Sequence, residues 1–131
     1  MNDVGVVSSF TKLRELAFRD SPALQSLDVI KSSSNLRSLH LTQYGALNDL
    51  DALRQFTSLR SLYLSSIPGL EDTELLRGIV ALKELDLSGC KELSDINGLH
   101  GLKSLKSVNL RNCRKLSAES VAAFALGIAE R

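Results

Sequence analysis

Cys90 and Cys113 are the two cysteines of the chain, and they stand 23 residues apart. Thiols so placed can lie buried, join as a disulfide if their strands run side by side, or ligate a metal. Zinc needs more ligands at closer spacing, and His40 and His100 fall in different segments with no two-residue Cys pair beside them. A neighbouring-strand separation would be short enough for a disulfide. A chain so poor in cysteine is nevertheless expected in a reducing setting, and buried thiols are the favoured reading. The sequence has no Gly-rich phosphate loop, no His-Glu-x-x-His and no Gly-x-Ser-x-Gly. Neither histidine has an evident nucleophile and carboxylate to work with. These residues predict no enzyme, no cofactor and no metal.

Charged and polar side chains carry a different chemistry, that of binding. Arg14, Arg37, Arg60, Lys83 and Lys106 recur at a spacing of 23. So do Glu15, Ser38, Ser61, Glu84 and Ser107, and likewise Arg19, Thr42, Ser65, Ser88 and Arg111. Between them runs a row with no constant type: Ala17, His40, Tyr63, Asp86 and Asn109. A variable row on a constant framework is what a recognition surface requires. Tyr63, near its middle, is the expected anchor, because Tyr and Arg carry much of the binding energy at interfaces. The plainer reading is that long basic stems cover apolar neighbours while their charges stay in water. An acidic protein segment is the partner that five cations favour. Nucleic acid fits less well, since Glu15, Glu84 and Asp86 would repel phosphate and exposed aromatics are scarce.

Those side chains must be positioned by something that repeats. Leu13, Leu36, Leu59, Leu82 and Leu105 open the phrases LRELAF, LRSLHL, LRSLYL, LKELDL and LKSVNL, with no insertion between them. Leu24, Leu47, Leu70, Leu93 and Leu116 follow eleven residues after each. Alternation in the first half, as in Leu62 and Leu64, predicts a short strand with one apolar face. The second half spaces its apolar residues by three, as in Leu93, Ile96, Leu99 and Leu102, which predicts a short α- or 3₁₀-helical segment. Neither half can bury its apolar face alone. The fold class is therefore α/β: a solenoid with a short parallel sheet on its concave face and helical turns outside. The variable row and the basic column then lie on the concave sheet.

Acids gather where each outer segment begins (Asp28, Asp49, Asp51, Glu71, Asp72, Glu74, Asp95), and bases toward its end (Lys31, Arg54, Arg77, Lys103). Complementing a helix dipole accounts for this order; an acidic convex binding surface is the competing account. The chain divides into a partial repeat at 1–12, full repeats at 13–35, 36–58, 59–81 and 82–104, and a last strand with a capping helix at 105–131. Val4, Val7 and Phe10 align with Ile96, Leu99 and Leu102, so the sequence opens midway through a repeat. That opening predicts a piece of a longer array, with a naturally short protein whose N-terminal end is covered by a partner as the alternative. Ser117 is placed to cap a helix of roughly 118–129, with Val121, Phe124, Ala125 and Ile128 at helical spacing.

Bulk properties agree. Of 131 residues, 44% are hydrophobic and 24% charged, which excludes disorder. A net charge of +1 exerts no overall pull on nucleic acid or membrane. No apolar run is long enough to span a bilayer, and the N-terminus lacks a signal-peptide pattern. An intracellular protein, cytoplasmic or nuclear, is expected.

The stretch LKELDLSGCKELSDINGLHGLKSLKSVNLRNC resembles the leucine-rich repeat family in its LxxLxLxxC form. The 23-residue period, with LDLSGC followed by a Leu, an Asp and a Gly-Leu, is similar to trypanosomatid leucine-rich repeat proteins of the expression-site-associated, adenylate cyclase regulatory type. The first three repeats depart from that pattern, with Ser21, Tyr44 and Ile67 where cysteine is expected. The resemblance implies a curved solenoid that binds a partner protein on its concave sheet, within a larger protein or complex. A structural spacer in an assembly is the second reading, and a nucleic-acid adaptor the third.

Overall fold

A computed structural model describes residues 15–19, 35–42, 51–67 and 69–129. Five strands, β1 (Glu15–Arg19), β2 (Ser38–Thr42), β3 (Ser61–Ser65), β4 (Glu84–Asp86) and β5 (Ser107–Asn109), form one parallel sheet in chain order. Each strand pairs with the next in the register of the repeat: Leu16 beside Leu39, Leu39 beside Leu62, Leu62 beside Leu85, Leu85 beside Val108. The expected parallel sheet is what the chain builds. Its return segments are 3₁₀ helices at Asp51–Gln55, Glu74–Leu76 and Asn97–Leu99.

Alternation in the strands becomes alternation in burial. Leu62 and Leu64 are fully buried while Ser61, Tyr63 and Ser65 are half-exposed. Leu59, Leu62 and Leu64 meet Leu70, Leu76 and Ile79 from the same coil, and the neighbouring coils repeat the arrangement. In three successive repeats the second residue holds the coils together through its backbone. The Arg37 carbonyl accepts from Arg60 N and Ser61 N, the Arg60 carbonyl from Lys83 N and Glu84 N, and the Lys83 carbonyl from Lys106 N and Ser107 N.

Shortly after the third, fourth and fifth strands the chain turns sharply. Ser66, Gly89 and Asn112, again 23 apart, all take positive φ, at 57°, 73° and 62°. Asn and Gly suit this left-handed conformation, and Ser66 occupies it at a steric cost. The outer side carries a second, shorter ladder, a parallel bridge from Asp72 to Asp95. Beside it Thr73 is buried at a position that is apolar in the other repeats (Leu50, Ile96). Its hydroxyl accepts from Gly98 N at 3.1 Å and donates to the Asp95 carbonyl at 3.4 Å, so the buried polar group is satisfied. Gly98 allows this approach, because a Cβ there would collide with the Thr73 carbonyl.

The acids of the outer segments do local work that the dipole account did not anticipate. Asp72 accepts from Glu74 N at 3.1 Å, and Asp95 from Asn97 N at 2.8 Å, each closing an Asx-type turn into its 3₁₀ helix. Arg77 grips Glu74 with two bonds of 2.7 and 2.8 Å, and both side chains stand in solvent. Two of the 3₁₀ helices are only three residues long, too short for a macrodipole to order charge along them, and Arg77 and Lys103 lie past their last residues. Asp28, Asp49 and Lys31, like residues 1–14 with their partial repeat, lie outside the described residues.

Helix α1 spans Ala118–Ala129. Ser117 Oγ accepts from Ser120 N at 3.1 Å, the N-cap bond its position predicted. Phe124 is buried and meets the His100 ring edge-on, centroids 5.7 Å apart. Ala125, grouped with the buried stripe from its spacing, is exposed instead. The reason lies in the last coil, whose Val108, Leu110 and Leu116 are only partly covered.

Candidate functional site

The strands bring the expected concave residues together on one sheet. In the second column Arg37, Arg60, Lys83 and Lys106 are all exposed, and among the described residues none of the four forms an ion pair. Arg14 lies outside the described residues, as do the side chains of Arg19 and Thr42. Because this column secures the ladder through backbone carbonyls, its side chains are free to be chosen for something else. Glu15 and Glu84 are exposed beside it, Ser38 and Ser61 half-exposed, and Ser107 exposed.

The variable row has an internal structure that spacing alone did not show. The His40 and Tyr63 rings stack, with centroids 4.2 Å apart and 19° between their planes. Adjacent parallel strands place equivalent residues about 4.8 Å apart, so flat rings in one column meet face to face. The Tyr63 hydroxyl reaches diagonally to the next coil and donates to Glu84 Oε2 at 2.6 Å. That bond to a carboxylate, followed by partial burial, pushes the Tyr63 phenol above its ordinary value of 10.0. Tyr63 is therefore held in place before anything binds. Asp86 accepts from Ser88 N at 2.8 Å and, with its other oxygen, from the Asn109 amide at 3.5 Å. Asn109 accepts from Arg111 N at 3.0 Å. Ser65 and Ser88 hydroxyls lie 3.3 Å apart. The lower row is a chain of turns and hydrogen bonds, and Arg111 stands exposed at its end.

The thiols sit behind the sheet. Cys90 and Cys113 are both free and buried. Each S–H donates at 3.0 Å to a carbonyl of the preceding coil, Cys90 to Leu64 and Cys113 to Leu87. Burial pushes the Cys90 thiol up to about 11 and raises that of Cys113. Ile67, at the same position one coil earlier, is fully buried. Among the described residues no three His, Cys, Asp or Glu side chains gather as a metal-binding group, and no helix is long and apolar enough to cross a membrane.

Sequence reasoning missed a second feature. Between β5 and α1 runs an open groove of about 570 Å³, mostly apolar, lined by Val108, Leu110, Val121 and Phe124 with Lys106 and Arg111 at its edges.

The repeat geometry, the concave sheet and the 3₁₀ returns define the chain as a leucine-rich repeat solenoid, and solved structures agree. An internalin of Listeria monocytogenes matches over 98% of this chain and 42% of its own, at 20% identity and a TM-score of 0.75. Internalin C2 of the same organism matches over 94% and 52%, at 21% identity and a TM-score of 0.77. The tropomodulin C-terminal domain of Caenorhabditis elegans matches over 97% and 92%, at 16% identity and a TM-score of 0.68. The chain thus spans about half the length of the internalins it matches. No protein-family model matches the sequence, and no curated protein does. At these identities the likeness establishes the fold; the trypanosomatid resemblance gains nothing from these bacterial and nematode structures.

Proposed function

We propose that this solenoid is a protein-recognition module whose concave sheet grips its partner. One observation carries the reading: four exposed cations run in a column beside the pre-stacked His40–Tyr63 pair. An aromatic that is already immobilised loses little conformational freedom on binding, which is the property of a good anchor. The cations select an acidic protein segment, and Glu84 and Asp86 set apart the stretch where that segment carries no acid. Leucine-rich repeat neighbours such as the internalins support a non-enzymatic interaction role for the fold.

The test is a capture experiment with the 131-residue chain, comparing wild type with a variant carrying Arg37→Ala, Arg60→Ala and Tyr63→Ala. Loss of capture is expected, and unchanged capture would sink the proposal. A second reading is an assembly spacer contacting its complex through the convex side, where Glu74 and Arg77 stand exposed. In that case Asp51→Ala, Glu74→Ala and Arg77→Ala together would disrupt assembly while the concave changes are silent. A nucleic-acid adaptor would show binding that falls steeply with added salt.

A further inference from the structure

The groove between β5 and α1 lies away from the His40–Tyr63 pair and shares Lys106, Ser107 and Arg111 with the edge of the concave sheet. We propose that it takes one extended strand of a partner protein, laid parallel to β5, with two alternating apolar residues flanked by acids.

The sheet edge states the backbone requirement. Lys83 O, Leu87 N and Gly89 N are the groups through which the fourth coil holds the fifth, bonding Lys106 N and Ser107 N, Asn109 O, and Arg111 O. Their equivalents one repeat on are Lys106 O, Leu110 N and Asn112 N. Among the described residues none of these has a backbone partner. A strand laid alongside would satisfy all three in the ladder geometry used by every earlier pair, which is recognition by strand addition. A helix or a folded surface would leave them unpaired.

The side chains state the rest. In the register of the repeat, residues of the added strand opposite Val108 and Leu110 point into the groove, against Val121 and Phe124. The flanking positions fall opposite Lys106 and Arg111, both exposed, and no acidic residue lines the groove. The occupant therefore reads acid, any residue, apolar, any residue, apolar, acid. Charge complementarity selects it over a basic or neutral strand.

The probe is a fluorescent peptide with Glu-Thr-Val-Thr-Leu-Glu in a Gly/Ser surround, titrated against the 131-residue chain by anisotropy, with a Lys-flanked peptide as control. Saturable binding of the acidic peptide is expected, with about tenfold or weaker binding of the Lys-flanked one. Ala125→Arg, which fills the groove from an exposed helix position, should abolish binding. Lys106→Glu with Arg111→Glu should invert the preference between the two peptides. The Arg37, Arg60 and Tyr63 triple variant should bind the peptide normally, which separates this site from the concave one. Circular dichroism confirms that each variant is folded. Equal binding of both peptides, binding that survives Ala125→Arg, or no saturable binding each overturns the proposal. So does self-association in sedimentation that Ala125→Arg removes, because the occupant would then be a second copy.

Discussion

The Tyr63 ring lies flat on the His40 imidazole, centroids 4.2 Å apart, while its hydroxyl is held at 2.6 Å by Glu84 of the next coil. Three consecutive coils are thereby tied across the open face by side chains rather than backbone. The bond to Glu84 raises the Tyr63 pKa, so the folded state favours the neutral phenol. Stability from this bond is fully present below about pH 10 and is lost as pH rises through the raised value. In a Tyr44→Phe background, absorbance titration of Tyr63 should show a midpoint above 10.0, the ordinary value. Glu84→Gln should lower it, and a midpoint that stays put would show that the bond is not formed in solution.

Cys90 gives a second alkaline signature. Its thiol is raised from 9.0 to about 11 by burial, so the fold stabilises the protonated form. Its contribution is whole below pH 9 and disappears as pH climbs toward 11. Iodoacetamide at neutral pH should label Cys90 slowly in the native chain and quickly in denaturant. Cys90→Ala removes both the packing and the S–H bond to Leu64, and should cost about 1–3 kcal/mol in urea unfolding.

Gly98 and Gly101 make a matched pair. Gly98→Ala drives a methyl group into the Thr73 carbonyl and should destabilise by about 1–3 kcal/mol or more. Gly101→Ala meets nothing within 4 Å and should be neutral or stabilising by up to about 1 kcal/mol. Denaturant midpoints of the two variants that move together would contradict this account.

How far the sequence could be read is clearest at these positions. The strand register was legible because 23-residue spacing aligns Leu39, Leu62 and Leu85 without a gap, and burial follows alternation. The positive φ at Ser66 was not, since a turn residue reveals its backbone only when its equivalents, Gly89 and Asn112, are compared in space. The shared column sets His40 beside Tyr63, but the stacking of their rings depends on side-chain direction, which spacing does not carry. The Tyr63–Glu84 bond is diagonal, and a register argument compares only residues directly opposite. Acid early and base late holds at Asp51, Arg54 and Glu74, but the turn bonds of Asp72 and Asp95 were not legible, because side-chain direction is not a property of spacing.

Ser66 offers a gain rather than a loss. Ser66→Gly should relieve the left-handed strain at φ 57° and stabilise the chain by about 1 kcal/mol. Ser66→Asn should fall between, and Ser66→Val should be worse than wild type. Thermal midpoints would order the four chains, and a Gly variant no more stable than Ser would show the turn to be unstrained.

The constant register has a mechanical meaning. Every rung of the sheet joins residues 23 apart, and no rung skips a coil. Tension applied to the two ends would therefore load one rung at a time, like a coiled rope paid out turn by turn. Each coil released frees about 80 Å of extended chain. A partner gripping several coils at once would act as a clasp across those turns, so that occupancy is registered as resistance to pulling.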